Sequence, residues 1–127
     1  MAELDDRSAL ITGGTTGLGF AIAERFLEEG AAVVLTGRDQ TLGDRAQERL
    51  APLGAVRFVR ADAADPDQVR GSLDEAIALL GGLDILVNNA GVGVQASVLE
   101  TPLASYDLVM NVNVRGPFAY AQAAFPH

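Results

Sequence analysis

A chain of 127 residues, 49% hydrophobic and 20% charged, has the size and composition of one ordinary globular domain. Its formal net charge of −8 argues against a nucleic acid or an anionic membrane surface as partner, so an anionic ligand has to be held by local devices. Cysteine and lysine are both absent and the one histidine is His127, which excludes disulfides, thiolate chemistry, a histidine triad and a His-rich metal site; no metal is expected.

The first residues, Met1 to Arg7, are acidic and do not lead into a long apolar stretch, unlike a signal peptide. No run reaches the roughly 18 apolar residues of a membrane span, so the expected location is cytoplasmic. Ser8-Ala9-Leu10-Ile11 reads as a buried strand running into glycines. Helical spacing follows, with Leu18, Ala21, Ile22 and Phe26 on one face and Gly30 as a C-terminal cap. Ala32 to Thr36 is the second strand, rich in β-branched residues. Leu42, Ala46, Leu50 and Leu53 mark a second helix, and Val56 to Val59 alternates as a third strand. Asp65 caps a third helix with Pro66 at its first position, directing Val69, Leu73, Ala76, Ile77 and Leu80 inward until Gly81-Gly82 ends it. Leu83 to Val87 is the fourth strand. A last helix begins near Thr101-Pro102 or Ser105, carries Leu108, Val109, Val112 and Phe118, and is expected to kink at Pro117. Strands and helices alternate throughout, which predicts an α/β fold: a doubly wound parallel sheet with helices on both faces.

The turn Thr12-Gly13-Gly14-Thr15-Thr16-Gly17-Leu18-Gly19 lies between the first strand and the first helix, where such a sheet places a phosphate site. Gly13 permits the tight turn, Gly17 lets backbone approach a pyrophosphate, and Gly19 lets the helix pack close to the sheet. The helix N-terminus adds N–H groups and partial positive charge. Alone, such a turn has a plain loop as its alternative; its place between strand and helix favours the dinucleotide site.

Gly37-Arg38 follows the second strand, which reaches the adenosine ribose in a dinucleotide fold. An acid there would take a free 2′-hydroxyl. Arg38 instead offers a forked, charge-assisted bond to a 2′-phosphate, which favours NADP over NAD. The plainer alternative is a solvated surface arginine. Asp62-Ala63 follows the third strand, where the carboxylate can accept from an adenine amino group or simply shape a turn. Asn88-Asn89-Ala90-Gly91 ends the fourth strand. Its small residues leave room for ribose and nicotinamide and its amides can tie strand ends together, though these are also turn-forming residues. Asn111 and Asn113 are weak formers inside a helix, which suggests a local role, the alternative being a wet face.

Taken together, these motifs resemble the short-chain dehydrogenase/reductase family, over nearly the whole chain. The glycine turn has the T-G-x-x-x-G-x-G form of its shorter, soluble subtype. The order of parts matches as well: Arg38, Asp62, the run Leu83 to Gly91, and Val112-Asn113-Val114-Arg115-Gly116. The resemblance implies a Rossmann-type sheet with strand order 3-2-1-4. It implies cofactor contacts at Gly13, Thr15, Thr16, Gly17, Leu18, Gly19, Arg38, Asp62, Ala63, Asn89, Ala90 and Gly91, with NADP the cofactor and NAD the lesser one. It implies that Asn113 is the asparagine of the family's catalytic group, which shapes the helix and holds a water of the proton relay. Many NADP-using relatives carry a basic residue where this chain has Thr16. The implied reaction is hydride transfer between NADP(H) and an alcohol or ketone. The last helix often forms an interface in relatives, so a homo-oligomer is among the implied partners.

The family's other catalytic groups are a serine after the fifth strand and a tyrosine four residues before a lysine. Here the tyrosines are Tyr106 and Tyr120, the residues four further on are Met110 and Ala124, and lysine is absent. The expectation is therefore one incomplete dinucleotide-binding domain, residues 1–127, that stops before the fifth strand and is inactive alone. The alternatives are a non-catalytic dinucleotide-binding module and an inactive fragment.

Overall fold

Four parallel strands, Ser8–Thr12 (β1), Ala32–Gly37 (β2), Val56–Arg60 (β3) and Ile85–Val87 (β4), form one sheet in the order β3-β2-β1-β4. The computed structural model describes residues 2–127. Three helices connect the strands: Gly17–Glu28 (α1), Gln40–Leu50 (α2, followed by a short 3-10 turn) and Pro66–Leu80 (α3). After β4 come Leu103–Met110 (α4) and Gly116–Ala124 (α5), joined by a π turn at Asn111–Arg115. The strand order is the one expected.

Successive residues of a strand point to opposite faces, and here both faces are covered. Ala9, Ile11, Val33 and Leu35 pack with Ala23 and Leu27 of α1 and Ala46 and Leu50 of α2. Leu10, Val34 and Val59 pack on the other face with Val69, Leu73 and Ala76 of α3 and Tyr120 of α5. α3 forms as its sequence signals dictate. The Asp65 carboxylate accepts from the N–H groups of Asp67 and Gln68, Pro66 opens the helix, and Gly81 closes it in the left-handed conformation.

α1 is rotated from its expected face, and α2 keeps only part of its own. α1 buries Gly19, Ala23 and Leu27, whereas Leu18 is 70% exposed and Ala21 is also exposed. The cause is steric: α1 lies so close to the sheet that its smallest residues must face it. α2 buries Ala46 and Leu50 as expected and adds Gly43, set against the Phe58 ring, while Leu42, and Leu53 in the 3-10 turn that follows, are turned out.

The last helical run is not kinked at Pro117 as expected. It widens one turn earlier, over Asn111–Arg115. Pro117 has no N–H for the carbonyl of Asn113, and its ring crowds that carbonyl, so the ladder cannot continue in α form. The Gly116 N–H reaches back to the Asn111 carbonyl, a π-type bond. Pro117 then sits in the first turn of α5, where a missing N–H costs nothing. Val112, Gly116 and Tyr120 are the buried residues along this run.

The Tyr120 hydroxyl lies 2.7 Å from Ser72 Oγ, which also donates to the Val69 carbonyl. Burial raises the Tyr120 pKa above its usual 10, and hydrogen bonding to Ser72 and Thr36 offsets this only in part. The unfolded chain therefore loses this proton at lower pH than the folded chain. Stability from this group is intact below pH 10 and falls as pH rises from there towards the folded pKa. Urea melts from pH 8 to 11 are expected to show that fall, and Tyr120→Phe should flatten it. An unchanged slope in the variant would assign the fall to another group.

Candidate functional site

All four strands point their carboxyl ends the same way, and a cavity of about 860 Å³ opens there, within the range of roughly 300–1,000 Å³ typical of ligand sites. Gly13, Thr15 and Thr16 line it from the β1–α1 turn, Gly37 and Arg38 from the end of β2, Asp62 and Ala63 from the end of β3, and Asn89, Ala90 and Gly91 from the end of β4. Gly17, Leu18 and Gly19 are not on its wall; they form the first turn of α1 beside it. Asn113 is not on the wall either.

The glycine turn has the geometry an anion requires. Gly13 and Gly17 have φ of +63° and +56°, a left-handed backbone that glycine adopts without strain. The space above Gly17 is open for at least 4 Å. Thr16, which precedes α1, does not cap the helix with its side chain, and its first turn carries no acidic residue. The N–H groups at that end are thus left for a ligand. Gly19 acts differently. A Cβ there would collide with the Gly13 carbonyl oxygen and the Asn89 amide nitrogen.

One hydroxyl ties β1 to β4. Thr12 Oγ1 accepts the N–H groups of Asn89 at 3.1 Å and Ala90 at 3.0 Å, and donates to the Val87 carbonyl at 3.4 Å. The Asn89 side chain donates back to the carbonyls of Thr12 at 3.1 Å and Gly13 at 3.0 Å. The two strand ends are thus joined by reciprocal bonds directly beneath the turn. Asn88 faces the other way and donates to the Pro117 carbonyl.

Arg38 is exposed at the cavity edge with no carboxylate in ion-pair distance among the described residues. Asp62 both lines the cavity and shapes its turn: Oδ1 accepts from the Ala64 N–H at 2.9 Å. No bond engages Oδ2 among the described residues.

Asn113 makes backbone bonds and does not simply face solvent. Its Oδ1 accepts from the Val92 N–H at 2.8 Å and its Nδ2 donates to the Val92 carbonyl at 2.7 Å. Arg115, two residues on, donates to the Ala64 carbonyl, and Gly116 lies against Ala63. The π turn therefore holds the loop after β4 on one side and the loop after β3 on the other.

Sequence reasoning placed Thr12 in the glycine turn without giving its hydroxyl a role, and it missed Val92 and Val112 as parts of the site. A hydroxyl at the end of an apolar strand was the available signal for Thr12. Val92 has no such signal, because only its backbone takes part.

Residues 7–127 match the short chain dehydrogenase family, and the chain belongs to it. It is 38% identical over 116 residues to an NADP-dependent (R)-specific alcohol dehydrogenase of Lentilactobacillus kefiri, a match covering 91% of this chain and 46% of that protein. The fold superposes on a blue fluorescent protein from a metagenomic library in complex with NADPH. That match has a TM-score of 0.91 and 38% identity, over 97% of this chain and 51% of that one. It also superposes on a short chain dehydrogenase from Burkholderia cenocepacia in complex with NADP. Here the TM-score is 0.94 and the identity 38%, over 98% of this chain and 51% of that one. The chain spans about half the length of these relatives.

Proposed function

We propose that residues 1–127 form a single dinucleotide-binding domain whose cavity takes NADP(H) in preference to NAD(H). The observation that carries this reading is the uncapped glycine turn and the carboxylate-free Arg38 lining one cavity. The NADPH and NADP complexes of the two similar structures support it. Gly13, Thr15, Thr16, Gly17, Leu18 and Gly19 would hold the pyrophosphate, largely through backbone N–H groups. Arg38 would meet the ribose phosphate and Asp62 with Ala63 the adenine. Asn89, Ala90 and Gly91 would floor the nicotinamide end. In a whole protein of this family the bound cofactor would supply hydride exchange with the carbon of an alcohol or ketone.

Asn113 is proposed as the asparagine of the family's catalytic group. Both polar atoms of its side chain are engaged by Val92, so here it acts by fixing the backbone beside Gly91. This chain alone is proposed to bind without turnover. Tyr120 is buried against Ser72, and neither tyrosine has a lysine partner.

Calorimetric titration with NADPH and NADH tests the reading, which fails if the folded chain binds neither. Arg38→Ala is expected to weaken NADPH binding by about tenfold or more, the scale of a lost bond to a charged group. NADH binding should change by less than about twofold. Equal losses for the two ligands would show that Arg38 does not read a 2′-phosphate.

A further inference from the structure

Arg60 ends β3 directly beside Gly37, its register partner on β2. Its Nε–H donates to the backbone carbonyl of Arg38 at 3.0 Å. Side chains alternate along a strand, so Arg60 leaves the sheet on the same face as Phe58, the face on which α2 packs. The Arg60 guanidinium is thus held against the backbone of the turn between β2 and α2 that carries Arg38, beside the cavity wall rather than on it. Neither arginine has a carboxylate in ion-pair distance among the described residues. The one carboxylate of that turn, Asp39, is drawn into α2, where it accepts from the Leu42 N–H at 3.0 Å.

A guanidinium carries five N–H donors in a fixed fork. One donor of Arg60 is engaged by the Arg38 carbonyl, which orders the side chain before any ligand arrives. The others make no bond among the described residues. A second cation held beside the Arg38 backbone raises the local positive potential where an anion bound by Arg38 would sit.

We propose that Arg60 is a second specificity residue: with Arg38 it forms a two-arginine seat for a phosphate monoester on the adenosine ribose. The proposal rests on the reading that the cavity holds the dinucleotide. It goes further in assigning the discrimination between phosphorylated and unphosphorylated ribose to β3 as well as β2.

The test is calorimetric titration of the chain and its Arg60→Gln variant with NADPH, NADH, adenosine 2′,5′-bisphosphate and ADP. Arg60→Gln is expected to weaken the two 2′-phosphorylated ligands about tenfold, and the other two by less than about twofold. Thermal unfolding checks that the variant remains folded. Should it not, Arg60→Lys is read in the same way, because it keeps the charge but loses the fork. A loss of several-fold confined to the phosphorylated ligands then supports the proposal. Equal losses for all ligands make Arg60 structural and overturn it. Unchanged affinities also overturn it, while the cofactor reading stands. Failure of the wild-type chain to bind any of the four overturns both.

Discussion

Replacing Gly19 by valine is expected to destabilise the chain by about 3 kcal/mol, at the upper end for overpacking a well-packed site, and to abolish NADPH binding. A side chain at this position has nowhere to go. Its Cβ would collide with the Gly13 carbonyl oxygen and the Asn89 amide nitrogen, which are bonded to each other at 3.0 Å. Relief requires either moving α1 off the sheet or breaking the turn, and each loses the site. Gly17→Ala provides the contrast. Nothing lies within 4 Å of a Cβ there, but φ is +56°. The expected cost is about 1 kcal/mol of backbone strain. NADPH binding should nonetheless fall sharply, because the methyl group fills the approach to the turn. Urea unfolding and NADPH titration of both variants separate the two roles. A Gly19→Val chain as stable as wild type would remove Gly19 from the packing argument.

How much of this was legible in the sequence depended on whether local chemistry or tertiary contact decided the outcome. α3 was readable because Asp65, Pro66 and Gly81 each act within a few residues of themselves. The strands were readable because both faces are buried, which leaves apolar runs such as Ala9-Leu10-Ile11 and Val33-Val34-Leu35. The orientation of α1 was not. Apolar spacing pointed to Leu18, whereas close packing of Gly19 against Gly13 turned Leu18 outward. The π turn was half legible. Pro117 announced a disturbance, but widening ahead of it, at Asn111–Arg115, depended on bonds to Val92 and Ala64 that are distant in sequence.

The cavity wall was more legible than the helix faces. Arg38, Asp62 and Asn89 each follow a strand, and parallel strands deliver their ends to one edge. What the sequence could not supply was how those ends are fastened. Arg60 lies outside every motif, and it is brought beside the site only through its register with Gly37 and its bond to the Arg38 carbonyl.

Thr12 is where that fastening is most concentrated, and Thr12→Val is expected to cost about 2 kcal/mol, since it strands the partly buried Ala90 N–H and leaves the Asn89 N–H only its bond to the Val87 carbonyl. Valine matches the shape of threonine, so packing is nearly conserved and the loss isolates the hydroxyl. The Ala90 N–H loses its acceptor, the Asn89 N–H loses one of its two, and the Val87 carbonyl keeps the Asn89 N–H but loses the Thr12 hydroxyl. Thr12→Ser keeps the oxygen and removes only a methyl group, so it should remain within about 1 kcal/mol of wild type. The Asn89 side chain reaches the Thr12 and Gly13 carbonyls from the same backbone that Thr12 holds. Thr12→Val and Asn89→Ala should therefore be strongly non-additive, the double variant losing less than the sum of the singles. Urea unfolding of the four chains measures that coupling directly. Additive losses would mean that the two sets of bonds act independently. The glycine turn would then be held by Asn89 alone, and its geometry should survive loss of the Thr12 hydroxyl, with NADPH affinity unchanged in Thr12→Val. If the bonds are coupled, affinity and stability fall together, because the residues that fix the β4 end are the same ones that support the floor of the phosphate turn.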